Sequence, residues 1–515
     1  MNYLLKLLQL LRPSGLIFLL LFLTLVQGLS IRGKPGNPRI DDLNTKEWKE
    51  LGPFELSPER GRFALTYSLV EDHSFSFSPT LAQFAMPDLG ILGDKFVSLF
   101  APGLSLLALP GYLIGSVFNY SQIGSFSVIS IFGLANALLI RRTALKLKAA
   151  EPAANLASII YLLATPAFAY SVSFYQHQTI TFLLLAAYNS LLTPSAFSAG
   201  LVFLLSGIAF IVDYPSIVLM LPALFLSLVI LFGATPTFKK LLQPLFILLP
   251  LLLLSWFNLK SYQDPFRLAG TLPRPQVEVN SKTQLTLINP DTLTLEGGEK
   301  SIPGFFHTRN LLNGFYVHLL SPDRGLIFYS PVILLGLLGL ITAFKNKKNH
   351  HIYQALIATI TLNLLLYSMW ADPWGGWAFG SRYLIPSYAL LAVFLAILLS
   401  RTTSKILVLT LFYILAIYSV IVNTFGALTS SRIPTKPEIN FLESQTNMPQ
   451  DYTYRRYLPM LEANTLKSFV FTVFATNFVT ARQYYLLLVS AIIFYISLLF
   501  IQLLRYHQKT KNTYV

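Results

Sequence analysis

The sequence contains no cysteine, and only 12% of its 515 residues are charged. The absence of cysteine excludes a disulfide framework, a thiol nucleophile and a thiolate metal site, and it leaves the redox compartment open. No glycine-rich phosphate-binding loop follows a predicted strand, so nothing indicates a P-loop nucleotide site. The low charge also argues against a soluble protein, so the apolar residues decide the class of protein.

Apolar residues make up 54% of the chain, and apolar runs recur along most of it. A membrane-spanning helix needs roughly 20 such residues. The pattern therefore predicts an all-α polytopic membrane protein, a bundle of about 12 transmembrane helices. The predicted spans are 14–30, 120–140, 153–172, 178–193, 196–212, 215–233, 241–260, 326–344, 352–369, 383–400, 405–427 and 484–504.

Basic residues gather on one side of this arrangement. If the amino terminus is cytoplasmic, the cytoplasmic pieces carry 16 basic residues and one acidic residue, Glu151, and the rest balances at 22 of each. The net charge of +15 then reflects the positive-inside bias rather than nucleic acid binding. Residues 100–119 are apolar enough to add a crossing that would reverse every later loop, so we predict an interfacial or partly inserted helix there. The run 16–28 can also serve as the core of a signal peptide.

Three large loops lie on the outer side in this topology, which predicts work at the outer surface of the plasma (inner) membrane. Alternating strand-like runs in residues 261–303 predict a small lid. The predicted regions are an amino-terminal transmembrane module (1–260) with a catalytic first outer loop (31–99), an outer loop (261–325), a carboxy-terminal transmembrane module (326–427), an outer loop (428–483), and a last helix with a cytoplasmic tail (484–515).

The first outer loop contains the stretch SPERGRFALTYSLVED. Glu59 falls in the first turn of a predicted helix and shares a face with Arg62, three residues on. Phe63, Tyr67 and Val70 form an apolar stripe that we expect to lie on the bilayer. An acid and a base on one face suit catalysis beside an anionic ligand, and they equally suit a surface ion pair on an interfacial helix.

Other ionisable residues lie close to predicted spans. Asp94 and Lys95 precede residues 100–119, where a lysine can meet a lipid phosphate or extend outward to water. His177 and Asp213 lie at the outer ends of spans, and ionisable groups at membrane depth usually face a cavity. The simpler interpretations are an interfacial hydrogen bond for His177 and a helix cap for Asp213.

The stretch WADPWGGWAFGSRYLIP, residues 370–386, places an arginine among tryptophans. Trp374 and Trp377 can sit in the aromatic belt of a membrane or stack on a sugar. Arg382 and Arg324 flank spans on the predicted outer side, where topology does not call for basic anchors. Because arginine binds phosphate in a bidentate manner, these residues predict a lipid-phosphate site, with belt anchoring as the alternative.

Five segments together resemble the GT-C superfamily of membrane glycosyltransferases, in its protein mannosyltransferase-like and aminoarabinose transferase-like branch. They span residues 57 to about 395 in the order SPERGRFALTYSLVED, GDKFVSLFAPGLSLLALPGYLI, SFYQHQ, SPDRGLIFYSPVILL and WGGWAFGSRYLIPSYALL. The resemblance implies a GT-C-type bundle that moves a sugar from a polyprenyl phosphate to a lipid, glycan or protein acceptor outside the membrane. It places Glu59 at the family's catalytic carboxylate position, as the base that takes the acceptor's proton, although relatives often carry Asp there. The chain departs from these relatives at residues 100–103, Phe-Ala-Pro-Gly, where relatives commonly have Lys-Pro-Pro.

The resemblance also implies contacts to the donor. No cofactor is predicted, a divalent metal stays open, and no nucleic acid partner is expected. Nothing is carried over to Asp213, where other branches often have a basic residue. The predicted substrate-binding residues are Arg62, Asp94, Lys95, His177, Arg324, Trp374, Trp377, Arg382 and Tyr383.

Two other functions stay open. A transporter or flippase would show repeated halves, broken midplane helices and several buried charges, of which only Asp213 comes close. A non-catalytic assembly factor would tolerate the loss of Glu59. The glycosyltransferase hypothesis requires one outward-opening cavity to contain Glu59, Lys95, His177, Arg324 and Arg382.

Overall fold

The computed structural model describes residues 15–233, 238–275, 295–296, 301–345, 349–402 and 406–513, and it is mostly helical. The amino-terminal half contains, in chain order, helices α1 (Leu16–Ser30), α2 (Ile40–Leu43), α3 (Ser57–Val70), α4 (Pro79–Ala85), α5 (Gly103–Val117), α6 (Ser121–Lys146), α7 (Glu151–Leu163), α8 (His177–Leu191), α9 (Ala196–Val212), α10 (Ser216–Phe232), α11 (Phe238–Leu241) and α12 (Leu248–Tyr262). An antiparallel hairpin of strands β1 (Leu89–Leu92) and β2 (Lys95–Ser98) interrupts them.

The carboxy-terminal half continues with short helices and then with long apolar ones. In chain order these are α13 (Leu311–Phe315), α14 (Leu326–Tyr329), α15 (Leu335–Ala343), α16 (His350–Ser368), α17 (Ile385–Arg401), α18 (Ile406–Leu428), α19 (Ile439–Thr446), α20 (Leu458–Glu462) and α21 (Ala481–Thr513). Single turns of 3₁₀ helix lead into several of them, including Pro331–Leu334 before α15 and Arg382–Leu384 before α17.

The helices identify a multi-pass membrane protein. Within the described residues, five helical stretches are long and apolar enough to cross a bilayer: Ser121–Lys146, Phe238–Tyr262, Arg382–Arg401, Ile406–Leu428 and Ala481–Thr510. Shorter apolar helices accompany them, namely Leu16–Ser30, Gly103–Val117, Ala196–Val212, Ser216–Phe232 and Pro331–Ala343. The prediction of a helical membrane protein is confirmed, whereas the count of twelve spans is not.

Two predicted spans are not continuous helices. The predicted span 153–172 stops being helical at Leu163, and residues 164–176 form a series of turns that is buried along its whole length. The predicted span 326–344 is broken into α14, a 3₁₀ turn and α15 at Ser330 and Pro331. Hydropathy detects apolar burial, but it cannot distinguish a helix from irregular backbone that is buried. Irregular backbone occurs at membrane depth only where protein or a cavity surrounds it.

Residues 100–119 contain the helix α5, which packs along α6. Gly111 of α5 and Gly124 of α6 face each other so closely that a side chain on either would overlap the backbone of the other. Small residues of this kind let two helices approach within a membrane. With 15 residues, α5 is about 22 Å long, shorter than the about 30 Å of a hydrocarbon core. Whether it crosses the membrane stays open.

The first outer loop is packed into the protein rather than spread on a bilayer. The ring of Phe63 on α3 is fully buried and contacts Phe54, Tyr112 and Phe174. Tyr67 is also buried. The prediction that this apolar stripe lies on the membrane surface is therefore wrong, because neighbouring helices and the chain before α3 cover it.

A buried charge cluster fastens this loop to the last outer loop. Glu55 accepts a hydrogen bond from Arg32 at 3.0 Å and forms an ion pair with Lys467 at 3.2 Å, and its side chain is 1% exposed. The backbone N–H of Ser431 donates a second hydrogen bond at 2.9 Å. Arg32 also donates to the carbonyl of Gly426 at 2.8 Å. These contacts thus join segments that are almost 400 residues apart in the chain and fix them together next to the start of α3.

Part of the predicted lid lies outside the described residues. Strand β3 (Arg274–Pro275) pairs antiparallel with β4 (Leu295–Glu296). The predicted strand-like runs in residues 276–294 and 297–300 fall outside the part of the chain that the structure describes. The lid therefore stays a prediction.

Candidate active site

A cavity of about 1290 Å³ gathers residues from segments that are far apart in the sequence. Helix α3, the ends of α9 and α10, the buried turns before α8 and the loop before α17 all contribute to its wall. Its polar and charged lining residues are Lys49, Glu50, Glu55, Ser57, Arg60, Arg62, Gln83, Asp88, Tyr175, Gln176, Asp213, Tyr214, Thr271, Arg274, Tyr367, Asp372, Trp377, Arg382, Tyr383 and Arg432.

Arg382 is placed in this cavity by the 3₁₀ turn that starts α17. Its side chain donates one hydrogen bond to the carbonyl of Gly375 at 2.5 Å. The guanidinium lies 5.1 Å from the ring centre of Tyr175 and 5.6 Å from that of Tyr383. Gly375 has a φ of +70°, and a side chain there would collide with Tyr383, so glycine is required. Among the described residues, Nε and Nη1 of Arg382 have no hydrogen-bond partner.

Arg62 lines the same cavity from α3. It donates to the carbonyl of Pro58 at 2.8 Å, one turn back on the helix, and its guanidinium lies 4.1 Å from the ring centre of Phe100. Burial lowers the pKa of Arg62 to about 10, so it remains a cation at neutral pH. Its Nε has no partner in the described part of the chain. The cavity therefore contains two buried guanidinium groups with unused donors.

Asp213 follows α9 and lines the cavity beside these cations. Its carboxylate accepts a hydrogen bond from the hydroxyl of Tyr367 at 3.4 Å, and Tyr367 stacks on Tyr383 with ring centres 4.2 Å apart. Burial raises the pKa of Asp213 to about 6, whereas Arg62 acts against that rise. The carboxylate therefore changes charge close to neutral pH.

Glu59 is fully buried and is not among the residues that line the cavity. Its Oε2 accepts a hydrogen bond from the N–H of Leu56 at 3.3 Å, and its Oε1 has no partner among the described residues. Burial raises the pKa of Glu59 to about 7, Arg32 opposes the rise, and the neighbouring Glu55 adds to it. The structure thus separates Glu59 from the cavity that contains Arg62.

The burial of Glu59 makes stability depend on pH. Since its pKa is about 7 in the folded protein against an ordinary value of 4.5, the folded state favours the protonated acid. That contribution is complete below pH 4.5 and is lost as the pH rises through 7. Replacing Glu59 by glutamine should remove this loss, which is worth about 3 kcal/mol.

Melting temperatures of the two purified proteins between pH 4.5 and 8 test this expectation. The wild type should fall relative to Glu59→Gln as the pH rises. Parallel curves at every pH would show that Glu59 titrates in its ordinary range.

Arg324 and His177 lie outside the cavity and contact residues that form its wall. Arg324 is buried and donates to the backbone carbonyls of Asp323, Trp374, Gly376 and Ile433 at 2.9–3.3 Å, which fixes the glycine-containing loop before Arg382. His177 begins α8, and its ring stacks on Tyr175 with centres 5.9 Å apart. Neither residue is among those that line the cavity.

The remaining predicted residues are distributed between the cavity and the surface. Tyr383 and Trp377 line the cavity, and Trp377 Nε1 donates to Glu438 at 2.5 Å. Trp374 borders a separate pocket of about 390 Å³. Asp94 and Lys95 lie at the exposed turn of the β1–β2 hairpin and do not line the cavity. The structure therefore does not gather the five residues that were expected to share one cavity: Arg382 lines it, whereas Glu59, Lys95, His177 and Arg324 do not.

Several lining residues carried no signal in the sequence. Tyr175 and Tyr367 look like ordinary aromatic residues of apolar runs, and only the fold turns them toward Arg382 and Asp213. Arg60 lies between Glu59 and Arg62 on α3 and was not predicted as a site residue. It nevertheless lines the cavity and donates hydrogen bonds to the carbonyls of Phe84 and Met86. In the described ranges, no group of three or more His, Asp or Glu residues could hold a metal ion.

The fold and the site define a multi-pass membrane protein with a large cavity that is cationic at one part and apolar at another. The chain is similar to the crystal structure of ArnT from Cupriavidus metallidurans in the apo state, with 12% identity, a TM-score of 0.46, and coverage of 95% of this chain and 75% of that one. The same protein bound to undecaprenyl phosphate gives 14% identity, a TM-score of 0.47 and the same coverage.

The apo oligosaccharyltransferase of Archaeoglobus fulgidus is similar at 14% identity and a TM-score of 0.41, over 84% of this chain and 58% of that one. The chain is thus structurally similar to ArnT and to an archaeal oligosaccharyltransferase at low sequence identity. No family model and no curated protein matches the sequence. With every TM-score below 0.5, the function proposed next depends on the cavity alone.

Proposed function

We propose that this chain is a membrane glycosyltransferase that moves a sugar from a polyprenyl-phosphate carrier to an acceptor hydroxyl or similar group. One observation carries the proposal: Arg62 and Arg382 are 4% and 7% exposed, face one cavity and have no carboxylate within ion-pair distance in the described residues. Asp213 in the same cavity offsets at most one of the two positive charges, and a buried charge without a counter-ion is costly, so an anionic ligand is expected beside the arginines. Guanidinium groups with free N–H donors suit the oxygens of a phosphate.

The apolar part of the cavity supports a lipid rather than a nucleotide as the carrier. It is formed by the ends of α9 and α10 and by the segments around residues 305 and 370. A phosphate held by the arginines would have a long apolar surface beside it, which suits a prenyl chain and gives no advantage to a soluble nucleotide sugar. The apolar lining residues include Phe210, Pro215, Ile217, Val218, Leu268, Phe305, Phe306 and Trp370.

The chemistry of such a transfer fits this arrangement. Cleavage of the bond between the anomeric carbon and the phosphate oxygen leaves negative charge on the lipid phosphate and develops positive charge on the sugar. Arg62 and Arg382 would stabilise the departing phosphate through charge-assisted hydrogen bonds. Direct attack by the acceptor on the opposite face of the sugar would invert the anomeric configuration.

The remaining assignments are part of the same proposal. Tyr383 and Trp377 contact the donor from the cavity wall, while Arg324, His177 and Trp374 hold the loops that shape it. Lys95 and Asp94 would meet a lipid headgroup from the exposed hairpin. Glu59 as the catalytic base stays a prediction that competes with the carboxylates of the cavity wall, since its own carboxylate is buried and does not line the cavity.

The topology remains a prediction as well. About twelve crossings with both termini in the cytoplasm would open the cavity to the outer side of the plasma membrane, as the distribution of basic residues indicates. The outer loops 261–325 and 428–483 would then contact the acceptor.

Reconstituted wild-type protein tests the proposal. Proteoliposomes receive undecaprenyl phosphate carrying radiolabelled mannose, glucose or aminoarabinose, together with a total membrane extract as the acceptor. We expect label to move from one of these donors to the extract, and the product to have the inverted anomeric configuration by NMR.

Two contrary outcomes are informative. Retention of configuration would exclude a single displacement. Passage of the donor across the vesicle membrane without transfer of the sugar would replace this proposal with the flippase hypothesis.

A further inference from the structure

Asp213 is the only charged residue between Ala196 and Phe232, a stretch that otherwise forms the two apolar helices α9 and α10. A cap for α10 would be its simplest role, but the carboxylate does not act as one. The backbone carbonyl of Asp213, not its side chain, accepts from the N–H of Ser216 at 2.9 Å, and the start of α10 has no side-chain cap. Because a carboxylate is costly at membrane depth, its presence there indicates function.

The groups around Asp213 come from three other parts of the fold. Arg62 on α3 acts on it most strongly among the cations, and Arg382 acts from the turn before α17. Tyr367 at the end of α16 donates a hydrogen bond to its carboxylate. The titratable and charged groups that face it are Arg62, Tyr214, Tyr367, Arg382 and Tyr383.

Asp213 lies where the two parts of the cavity meet. Its sequence neighbours Phe210, Pro215 and Val218 line the apolar part, while the two arginines mark the phosphate position. A sugar attached to that phosphate would therefore extend near Asp213. Glu59 shares α3 with Arg62 but is not part of the cavity wall, so of these two carboxylates only Asp213 is open to a substrate in the cavity.

We propose that Asp213 is the carboxylate that removes the proton from the attacking acceptor, an inference that rests on the function proposed above. The acceptor oxygen forms a bond to the anomeric carbon as the bond from that carbon to the phosphate oxygen breaks. The electron pair of the broken bond stays on the lipid phosphate, which Arg62 and Arg382 hold. The acceptor proton passes to an oxygen of Asp213, which Tyr367 orients.

The acidity of Asp213 suits this role. With a pKa raised by burial to about 6, it is mostly ionised at neutral pH and is still a stronger base than an ordinary aspartate. Transfer by the wild type should therefore rise with pH through about 6. Arg62 and Arg382 keep their charge across this range, so the rise would report on Asp213 or on another carboxylate, which the variants distinguish.

The test compares Asp213→Asn with the wild type, using whichever of the three donors the wild type transfers. We expect kcat to fall by about 10²–10⁴-fold, as for the loss of a general base, with little change in KM. The rise of the remaining activity near pH 6 should disappear. Undecaprenyl phosphate should bind Asp213→Asn at least as tightly as the wild type, because one negative charge beside Arg62 is gone, and this binding also shows that the variant is folded.

Three reference variants decide between explanations. Asp72→Asn changes an exposed aspartate just after α3 and should match the wild type. Asp213→Glu should recover part of kcat. Glu59→Gln should keep the wild-type pH profile.

Three results would overturn the inference. One is Asp213→Asn activity within about threefold of the wild type. Another is an effect on KM alone, which would make Asp213 a sugar-binding residue. The third is loss of the pH-dependent rise in Glu59→Gln instead. If the wild type neither transfers a sugar nor binds undecaprenyl phosphate, the proposed function itself fails, and Asp213 has no base role to perform.

Discussion

Replacing Arg382 by alanine should lower sugar transfer by about 10³-fold, because the variant loses hydrogen-bond donors to the charge that develops on the departing phosphate. Within the described part of the chain, two of its nitrogens lack hydrogen-bond partners, so their donors are available to a ligand. Binding of undecaprenyl phosphate should weaken in parallel. Initial rates with the labelled donor and equilibrium binding of undecaprenyl phosphate measure the two effects.

The controls for Arg382 are on the same helical stretch. Arg382→Lys keeps the positive charge but loses the planar fork, and it should recover only part of the activity. Arg401→Ala removes an exposed arginine at the other end of α17, where it donates to the carbonyl of Thr342 at 2.7 Å. That variant should transfer sugar like the wild type. Normal binding and transfer by Arg382→Ala would contradict a phosphate site at this position.

Replacing Glu55 by alanine should destabilise the protein by about 3–5 kcal/mol, because Arg32 and Lys467 would stay buried without their counter-ion. Burial alone would raise the pKa of Glu55, but Lys467 and Arg32 outweigh it and hold the pKa below its ordinary value of 4.5. The stabilisation is therefore present above pH 4.5 and is lost as the pH falls further. Thermal unfolding of the purified variants measures the difference.

A second ion pair gives the matched comparison. Arg141 and Glu151 also form a close ion pair, but the Glu151 side chain is 49% exposed. Glu151→Ala should cost only about 0–1 kcal/mol because water screens the pair. If Glu55→Ala and Glu151→Ala unfold at the same temperature, the Glu55 cluster does not join the two outer loops as the structure indicates.

The sequence was sufficient for the class of fold because apolar burial is a local property. Helices occur at or near every predicted span, from α1 to α21. Breaks such as the one at Leu163 could not be predicted, because buried turns and a buried helix have the same apolar composition. The hairpin that presents Lys95 was also missed, since its two strands are only four residues long.

The two cavity arginines were predicted on different grounds. Arg382 stands among aromatic residues at the start of an apolar run, where an isolated cation is costly unless it has a partner or a ligand. Arg62 lies in the polar stretch SPERGR and was predicted only through the family resemblance. That both residues line one cavity follows from the fold and not from the sequence.

The direction of a side chain was the part that sequence could not provide. Glu59 and Arg62 share a helix face by spacing, yet the cavity contains the longer Arg62 and leaves Glu59 enclosed near Glu55. Arg324 was expected to bind a ligand, and four of its five N–H donors bond to backbone carbonyls. Such choices depend on neighbours hundreds of residues away.

The buried turns of residues 164–176 have a practical consequence for engineering. Their groups bond to distant segments: Ser130 donates to the carbonyl of Ser171, the backbone of Arg32 to that of Val172, and the backbone of Phe379 to the hydroxyl of Tyr170. An epitope tag or fusion partner placed there, at what hydropathy presents as a convenient link between two helices, would displace three regions at once. Reporter insertions belong instead at the exposed connection between α8 and α9, at Thr193 and Pro194.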